Sequence, residues 1–430
     1  MAYFGSACRS THSFWEFPAP ARRLIPIPQE EIIHEGDLCF DFPISQVSSR
    51  HVILTRTSLC YTAVSPTQSL SDLRLRRSTP IVFAHITPFH DPATGTGFRV
   101  QISSVRYIDL FAANWLEVET WLAALAQVAC FTDLESDYKV GSHLGTGSSS
   151  RVYAGVELAT GRRVAIKRMA KSGWQGMPER MVREVEILRK LKGEAGVVAL
   201  QAVYEDYKDV CLVLSLEEGA SLKRFLSKHH PLPEDQMRTI LLNLLTILAA
   251  VHSQGIIHRD IKPDNIMVDS AADFTCCLLD FGLAIHQHDM NKGPICGTPG
   301  YIAPEILRGE TGDERMDVYG LGMVGWTMVR GKNPFSAGDR RETLYRNREG
   351  MVQADWWDGT ETPLKDFLEK MTSPDPISRP TASECLQHPW LSGKCTVPSC
   401  DEKLLSRLSS MNSDFSTAGE DRPPVVPNRD

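Results

Sequence analysis

Residues 51–64, HVILTRTSLCYTAV, are apolar and β-branched except around Thr55–Ser58, a pattern that predicts two strands joined by a turn. PIVFAHITPF (80–89), GFRVQISS (97–104) and VRYIDLFAA (105–113) predict further strands, with HDPATGTG (90–97) as a turn-rich loop. The period then changes. NWLEVETWLAALAQVACF (114–131) predicts a helix on which Leu116, Val118, Trp121, Leu122, Leu125 and Val128 share much of one face. MVREVEILRKL (181–191) predicts another helix. ILLNLLTILAAVH (240–252) predicts a buried core helix, since Asn243 interrupts it and it falls short of the roughly 20 apolar residues that span a bilayer.

Between these segments the pattern fades. Residues 1–30 are rich in proline and aromatics without a period and read as an irregular arm. A β-rich region covers 31–131, and FTDLESD (131–137) reads as a linker. A long mixed region covers 138–391. The Ser- and Pro-rich tail, 392–430, is expected to be disordered. The length of 430 residues suits two or three domains.

Composition narrows the function classes. The chain is 42% hydrophobic and 23% charged, ordinary for a soluble globular protein. A net charge of −7 argues against a general nucleic-acid binder. The 11 cysteines show no repeated spacing and no C-x-x-C, which suits reduced intracellular thiols. The N-terminal stretch lacks an uninterrupted apolar core, so no secretory signal is read there. No transmembrane segment is expected, and the localisation that follows is cytoplasmic or peripheral at membranes.

The candidate chemistry begins at SHLGTGSSSRVYAG (142–155). Gly145 and Gly147 would let a hairpin backbone approach phosphates closely, since neither carries a side chain. The pattern G-x-G-x-x-G-x-V is incomplete: Ser150 stands for the third glycine and Val152 is retained. VAIK (164–167) follows, and a strand holding Lys167 can aim its ammonium at phosphates. The helix 181–191 offers Glu184 or Glu186 to fix that lysine. IIHRDIKPDNIMV (256–268) matches H-R-D-x-x-x-x-N, and DFG (280–282) and GTPGYIAPE (297–305) follow.

On these motifs residues 138–391 resemble a eukaryotic serine/threonine protein kinase, similar in its HPWL ending (388–391) to the calmodulin-dependent group. The resemblance implies an α+β, two-lobed fold with a small β-rich N-lobe and a large helical C-lobe. It implies that Asp260 orients the substrate hydroxyl, Lys262 steadies the transferring phosphate, Lys167 pairs with Glu184, and Thr298 shapes the acceptor floor. Asn265 and Asp280 would hold Mg2+. Leu144, Gly145, Thr146, Gly147, Ser148, Ser149, Ser150, Arg151 and Val152 would cover ATP. Ala165, Leu214, Ser215, Glu217 and Met267 would complete the nucleotide slot, with Leu214 as gatekeeper and the Ser215 and Glu217 backbone at the adenine edge. Arg379 would pair with Glu305, and Asp317 would brace the catalytic loop. The expected partner is a protein substrate. The alternative is a pseudokinase or adaptor scaffold, which loss of Lys167, Asp260 or Asp280 would have signalled.

Residues 31–131, short strands closed by one helix bearing Trp121, resemble a pleckstrin-homology domain, a small β-barrel or sandwich capped by its C-terminal helix. DLCFDFPISQVSSRHVIL (37–54) offers only Arg50 where phosphoinositide binders place basic residues. A protein partner or an intramolecular docking role is therefore expected over more than weak phosphoinositide binding. No Ser, Thr or Tyr lies between Gly282 and Thr298, Pro294 occupies the usual phosphosite, and Ile285 replaces a basic residue. Activation without phosphorylation there is expected, with Arg259 meeting a carboxylate such as Asp289 or the segment ordering without one. Control would pass to the N-terminal region, the tail or expression level.

Overall fold

A computed structural model describes residues 32–392 except 41–49, 56–57, 63–74, 82, 92–94, 104–105, 148–149, 172–178, 207, 293–294 and 351–361. The expected arm 1–30 and nearly all of the tail lie outside the described residues.

The chain opens with a four-stranded antiparallel sheet, β1 (Ile32–Leu38), β2 (Arg50–Thr55), β3 (Ser58–Thr62) and β4 (Leu75–Pro80), in chain order. β2 and β3 pair antiparallel on either side of the turn expected at Thr55–Ser58, with Ser58 N–H donating to Thr55 Oγ1 at 3.1 Å, and positions 56 and 57 lie outside the described residues. The single strand expected over 80–89 is two. β4 stops at Pro80, Phe83 takes a φ of 66°, and β5 (His85–Asp91) starts beyond it. A local apolar run cannot reveal such a corner, because buried apolar residues, Ile81 and Ile86, stand on both sides of it. β6 (Gly95–Ser103) and β7 (Arg106–Ala112) continue antiparallel, leaving a shorter connection than the loop expected over 90–97.

Helix α1 (Trp115–Leu125) starts where Asn114 accepts from the Glu117 N–H at 2.9 Å. It ends six residues earlier than its apolar pattern predicts. Val118, Trp121, Leu125 and Val128 are buried against the strands, whereas Leu116 is 72% exposed and does not share their face. Trp121 is wholly buried, with its ring edge-on to His34 at 4.5 Å and tilted against Phe98 at 6.0 Å. Burying such a ring is worth about 3 kcal/mol.

Beyond α1, Cys130–Phe131 forms a two-residue strand, β8, and Leu134–Asp137 forms a short helix, α2. The segment read as a linker is therefore structured. β8 pairs in parallel with β5 on one side and with β12 (Leu200–Glu205) on the other. One nine-stranded sheet results, in the order β7-β6-β5-β8-β12-β13-β11-β10-β9. Its remaining members are β9 (Tyr138–Thr146), β10 (Ser150–Glu157), β11 (Arg163–Ala170) and β13 (Asp209–Ser215). Helix α3 (Glu179–Lys190) packs on it, burying Met181, Val185, Ile187 and Leu188.

A helical lobe follows. Helix α5 (Glu234–Ser253), after α4 (Leu222–His229), buries Ile240, Leu241, Leu244, Leu245 and Leu248 in the core. No helix among the described residues is long and apolar enough to cross a membrane. Short strands β14 (Ala220–Ser221), β15 (Ile256–Ile257), β16 (Ile266–Asp269), β17 (Thr275–Leu278) and β18 (Ile285–His286) frame the loops at the lobe's upper edge. After α6 (Pro304–Leu307), α7 (Arg315–Arg330) is buried almost throughout. Gly320 lets α7 press against the loop after β15, since a Cβ there would lie 3.1 Å from the Ile261 Cβ.

Candidate active site

The cleft lies between the nine-stranded sheet and the helical lobe. On its upper side β9 and β10 pair so that Arg151 faces Thr146 and Val152 faces Gly145. Gly147 N–H donates to the Ser150 carbonyl at 2.8 Å, so Ser150 helps close the turn in the absence of a third glycine. A Cβ at Gly145 would meet nothing within 4 Å, so the backbone there is approachable from the cleft. Leu144, Thr146 and Arg151 are exposed, while Ser148 and Ser149 lie outside the described residues. Val152, Ala165 and Met267 are half-buried, and Leu214 is buried behind them. Ser215 N–H donates to the Ala199 carbonyl at 2.8 Å, so at Ser215 only the carbonyl can serve an adenine edge. Its hydroxyl donates to Glu217 at 2.5 Å.

Lys167 sits on β11, where its side chain reaches Glu184 at 2.5 Å and Asp280 at 2.7 Å. Of the two candidate glutamates on α3, Glu184 is buried and Glu186 is exposed, because helical spacing turns them to different faces. Burial alone would lower the Lys167 pKa, but the Glu184 and Asp280 carboxylates outweigh it and raise it. For Asp280 the surrounding protein disfavours charge, yet Lys167 overrides that and holds the pKa at about 2. Asp280 is therefore ionised at neutral pH, and 45% of its side chain stays accessible. Its backbone is left-handed, with a φ of 55°, and Oδ1 accepts from the Gly282 N–H at 3.4 Å. Phe281, buried beside it, meets His258 edge-on at 4.8 Å and shares a core with Leu188.

The lower side is built on the loop after β15. Asp260 Oδ2 accepts from Lys262 Nζ at 2.7 Å and from Asn265 Nδ2 at 3.0 Å. Its Oδ1 accepts from the Thr298 hydroxyl at 2.6 Å, and Lys262 also donates to Thr298 Oγ1 at 2.8 Å. Asn265 spends its other amide hydrogen on the Asp260 carbonyl, 2.9 Å away. Both oxygens of Asp260 are thus fixed by donors, as a group that must accept a proton in one direction requires.

Asp317 on α7 supports this loop. It accepts from the His258 N–H at 2.7 Å, the Arg259 N–H at 2.8 Å and His252 Nε2 at 3.0 Å. Burial works against its charge, but the His252 contact and the backbone donor win and keep its pKa below the ordinary value. The two N–H bonds hold Arg259 at a φ of 65°, a conformation that costs an arginine roughly 1–3 kcal/mol. Arg259 Nε in turn donates to the Leu283 carbonyl at 2.7 Å. Asp289, the carboxylate named as a candidate, lies 3.5 Å from His288. Below the cleft, Arg379 meets Glu305 through paired contacts of 2.8 and 3.0 Å in a wholly buried site.

The sequence reasoning missed Arg180, whose Nε donates to the Gly282 carbonyl at 2.9 Å and ties the start of α3 to the loop carrying Asp280. Its only sequence signal is that it precedes Glu184 by one helical turn.

The profile of the protein kinase domain family matches residues 138–391. Among curated relatives, calcium/calmodulin-dependent protein kinase type IV of Mus musculus is 32% identical over 263 residues, covering 60% of this chain and 55% of that protein. Serine/threonine-protein kinase PLK4 of Nematostella vectensis is 35% identical over 267 residues, or 61% of this chain and 27% of that protein. Calcium/calmodulin-dependent protein kinase type 1B of Rattus norvegicus is 29% identical over 280 residues, or 64% of this chain and 80% of that protein. The chain spans about half the length of the first of these relatives and about a quarter of the second.

Proposed function

The chain belongs to the protein kinase family, and on that premise we propose that it transfers the γ-phosphoryl group of ATP to serine or threonine hydroxyls of protein substrates. The observation that carries this reading is the closed set of contacts joining Asp260, Lys262 and Thr298, facing the Lys167–Glu184–Asp280 set across the cleft. Phosphoryl transfer needs alignment and charge neutralisation more than covalent help. In this reading Lys167, held by Glu184, grips the α- and β-phosphates. Asp260 accepts the hydroxyl proton of the acceptor residue, and Lys262 neutralises the γ-phosphate as it passes. Thr298 fixes the rotamer of Asp260 and forms the floor under the acceptor. Val152, Ala165 and Met267 provide the apolar faces of the adenine slot, with the Ser215 carbonyl and the Glu217 backbone at its edge.

Asn265 and Asp280 fit a magnesium ion. Both offer hard oxygen donors. Asn265 directs both amide hydrogens at Asp260, which leaves its oxygen for the cation, and Asp280 is ionised and accessible. Magnesium there would neutralise charge on the ATP phosphate oxygens.

For residues 31–131 the reading is a pleckstrin-homology-like module. Seven strands followed by one helix support it, as does Trp121, buried against His34 and Phe98. The arginines at 74, 76 and 77 have side chains outside the described residues. The paucity of basic residues over 37–54 favours a protein or intramolecular partner over tight lipid binding. A role in intracellular signalling follows from the pairing of such a module with a kinase.

The test is transfer of labelled phosphate from ATP to mixed protein and peptide acceptors by the purified full chain with magnesium. Incorporation on serine or threonine is expected. Absence of transfer across varied acceptors would favour a scaffold that binds partners without turnover. In the same assay, phosphatase treatment is expected to leave activity largely intact, and peptide mapping to show no phosphate between Gly282 and Gly297. Collapse of activity on treatment counts against phosphorylation-independent activation, unless the lost phosphate maps to Thr298 or outside the segment.

A further inference from the structure

Helix α3 carries Glu184, and its position decides whether Lys167 is held. Three anchors fix it. Near its start, Arg180 binds the Gly282 carbonyl. In its last turn, Lys190 Nζ donates to the Gln254 carbonyl at 2.7 Å, at the end of α5. The third anchor is supplied by the N-terminal region. Arg189 Nη2 donates to the Ala129 carbonyl at 2.8 Å, and the guanidinium lies over the Phe83 ring at 5.3 Å. Phe83 is the corner between β4 and β5, and Ala129 immediately precedes β8.

This contact belongs to a continuous junction. Cys130 N–H donates to the Ala84 carbonyl at 2.8 Å, Cys130 pairs with His85, and Phe131 pairs with both Ile86 and Tyr204. Buried Glu205 on β12 joins Lys171 of the small lobe at 2.6 Å and His85 of the N-terminal region at 3.4 Å. Tyr204 donates to Asp137 at 2.6 Å, and its ring lies tilted against Phe131 at 5.5 Å. A shared backbone ladder and a buried ion pair join the two regions, Cys130 packs in the same core as α3, and the aromatic pair closes the opposite face of the sheet. Arg189 is the side chain that turns this rigid junction into a hold on the helix. Five residues at 1.5 Å rise put it about 7.5 Å along the axis from Glu184, so a tilt at one is felt at the other. Burial pulls the Arg189 pKa down to about 10, still well above neutral, so it remains a cation.

We propose that residues 31–131 act as a built-in activator, and that Arg189, clasped between Phe83 and the Ala129 carbonyl, is a positioning residue that keeps Glu184 on Lys167. The inference rests on the kinase reading for its effect on rate. It assigns the N-terminal region the ordering task that no phosphate between Gly282 and Gly297 can perform. Regulation would then act by loosening the junction, through whatever competes for the strand β8 or the Phe83 corner.

The experiment compares the full chain with R189M, R189K and F83A. Methionine keeps the length and removes the donor; lysine keeps a donor and a cation that can reach the Ala129 carbonyl. R189M is expected to lower kcat/KM for ATP by about tenfold, since a misplacement of about 1 Å can cost up to about 100-fold. The KM for the acceptor peptide is expected to stay unchanged, R189K to recover most of the rate, and F83A to fall on the same side as R189M. Hydrogen exchange over 179–190 in nucleotide-free protein is expected to quicken in R189M and return in R189K. Unchanged exchange and rate in R189M would overturn the proposal. So would a loss that lysine does not rescue, or one that tracks only a lowered melting temperature. Exchange is read without turnover, so an inactive parent chain sinks the kinase reading while the exchange result still decides this one.

Discussion

Asp260→Asn is expected to remove nearly all phosphoryl transfer while leaving the protein folded and able to bind ATP. The substitution keeps the side-chain volume, so packing around the loop barely changes. What changes is the proton inventory. Oδ2 now receives from Lys262 and Asn265, and Oδ1 receives from Thr298. An amide can keep its oxygen toward Lys262 and Asn265 only by turning its NH2 toward Thr298, whose hydroxyl then accepts where it had donated. The loss of a positioned base costs about 100- to 10,000-fold. The effect should appear in kcat, with KM for ATP little altered, because Lys167, Glu184 and Asp280 lie across the cleft and do not touch Asp260. The comparison is initial-rate kinetics of the full chain and the variant, with thermal melting as the control on folding. If the variant keeps more than about a tenth of the rate, a fall far short of what a lost base predicts, then Asp260 is not the base and the proposed roles must be reassigned.

Much of this site was legible because its residues come in contiguous pieces. IIHRDIKPDN holds Asp260, Lys262 and Asn265 on one loop, where fixed spacing along the chain becomes fixed spacing in space. Pairings between distant pieces were legible only through the family resemblance. The choice of Glu184 over Glu186 has a physical basis in helical facing, but only the packed sheet says which face is inward. Arg180 shows the limit more plainly. Its partner is a backbone carbonyl 102 positions away, and carbonyls leave no trace in sequence. The same holds for Arg189 and the Ala129 carbonyl.

The fold of the N-terminal region was misread where one pattern has two solutions. Val128, Ala129, Cys130 and Phe131 are apolar, so they extend the helical face of α1 on paper. In the structure the helix stops at Leu125, and Cys130–Phe131 becomes a strand because two sheet edges stand ready to pair with it. Unpaired edge N–H and C=O groups are costly to bury, and that cost outweighs the modest helical preference of two residues. The corner at Phe83 escaped for the related reason that a positive φ on a non-glycine residue has no sequence signature. Both errors fall on the junction between the N-terminal strands and the rest of the nine-stranded sheet, so the part of the molecule with the least local signal is the part that holds α3.

Arg379→Met is expected to give the largest loss of stability among single substitutions at buried polar positions. Glu305 and Arg379 are 0% and 1% exposed, and they meet through paired 2.8 and 3.0 Å contacts. Arg379 also donates to the carbonyls of Ser373 and Arg315 and lies 5.0 Å from the Tyr319 ring. Removing the arginine leaves a carboxylate with no water and no counter-charge, a situation that costs about 3–5 kcal/mol. For a domain of 150–250 residues each kcal/mol moves the melting temperature by roughly 2–4 °C, so a fall on the order of 10 °C is expected. The double variant E305M/R379M should recover a large part of it, because a well-packed apolar pair carries no desolvated charge. Failure of the double variant to recover would mean that the wider arginine network, and not the unpaired carboxylate, sets the cost. The pair also bears on function. Glu305 lies on α6, which follows the turn in which Tyr301 N–H donates to the Thr298 carbonyl at 3.0 Å. Below its melting temperature R379M should therefore show a reduced kcat, since Thr298 is the donor that fixes Oδ1 of Asp260. A variant that melts as the parent does would show that the buried pair is energetically neutral, and that Thr298 owes its position to the Lys262 and Asp260 contacts alone.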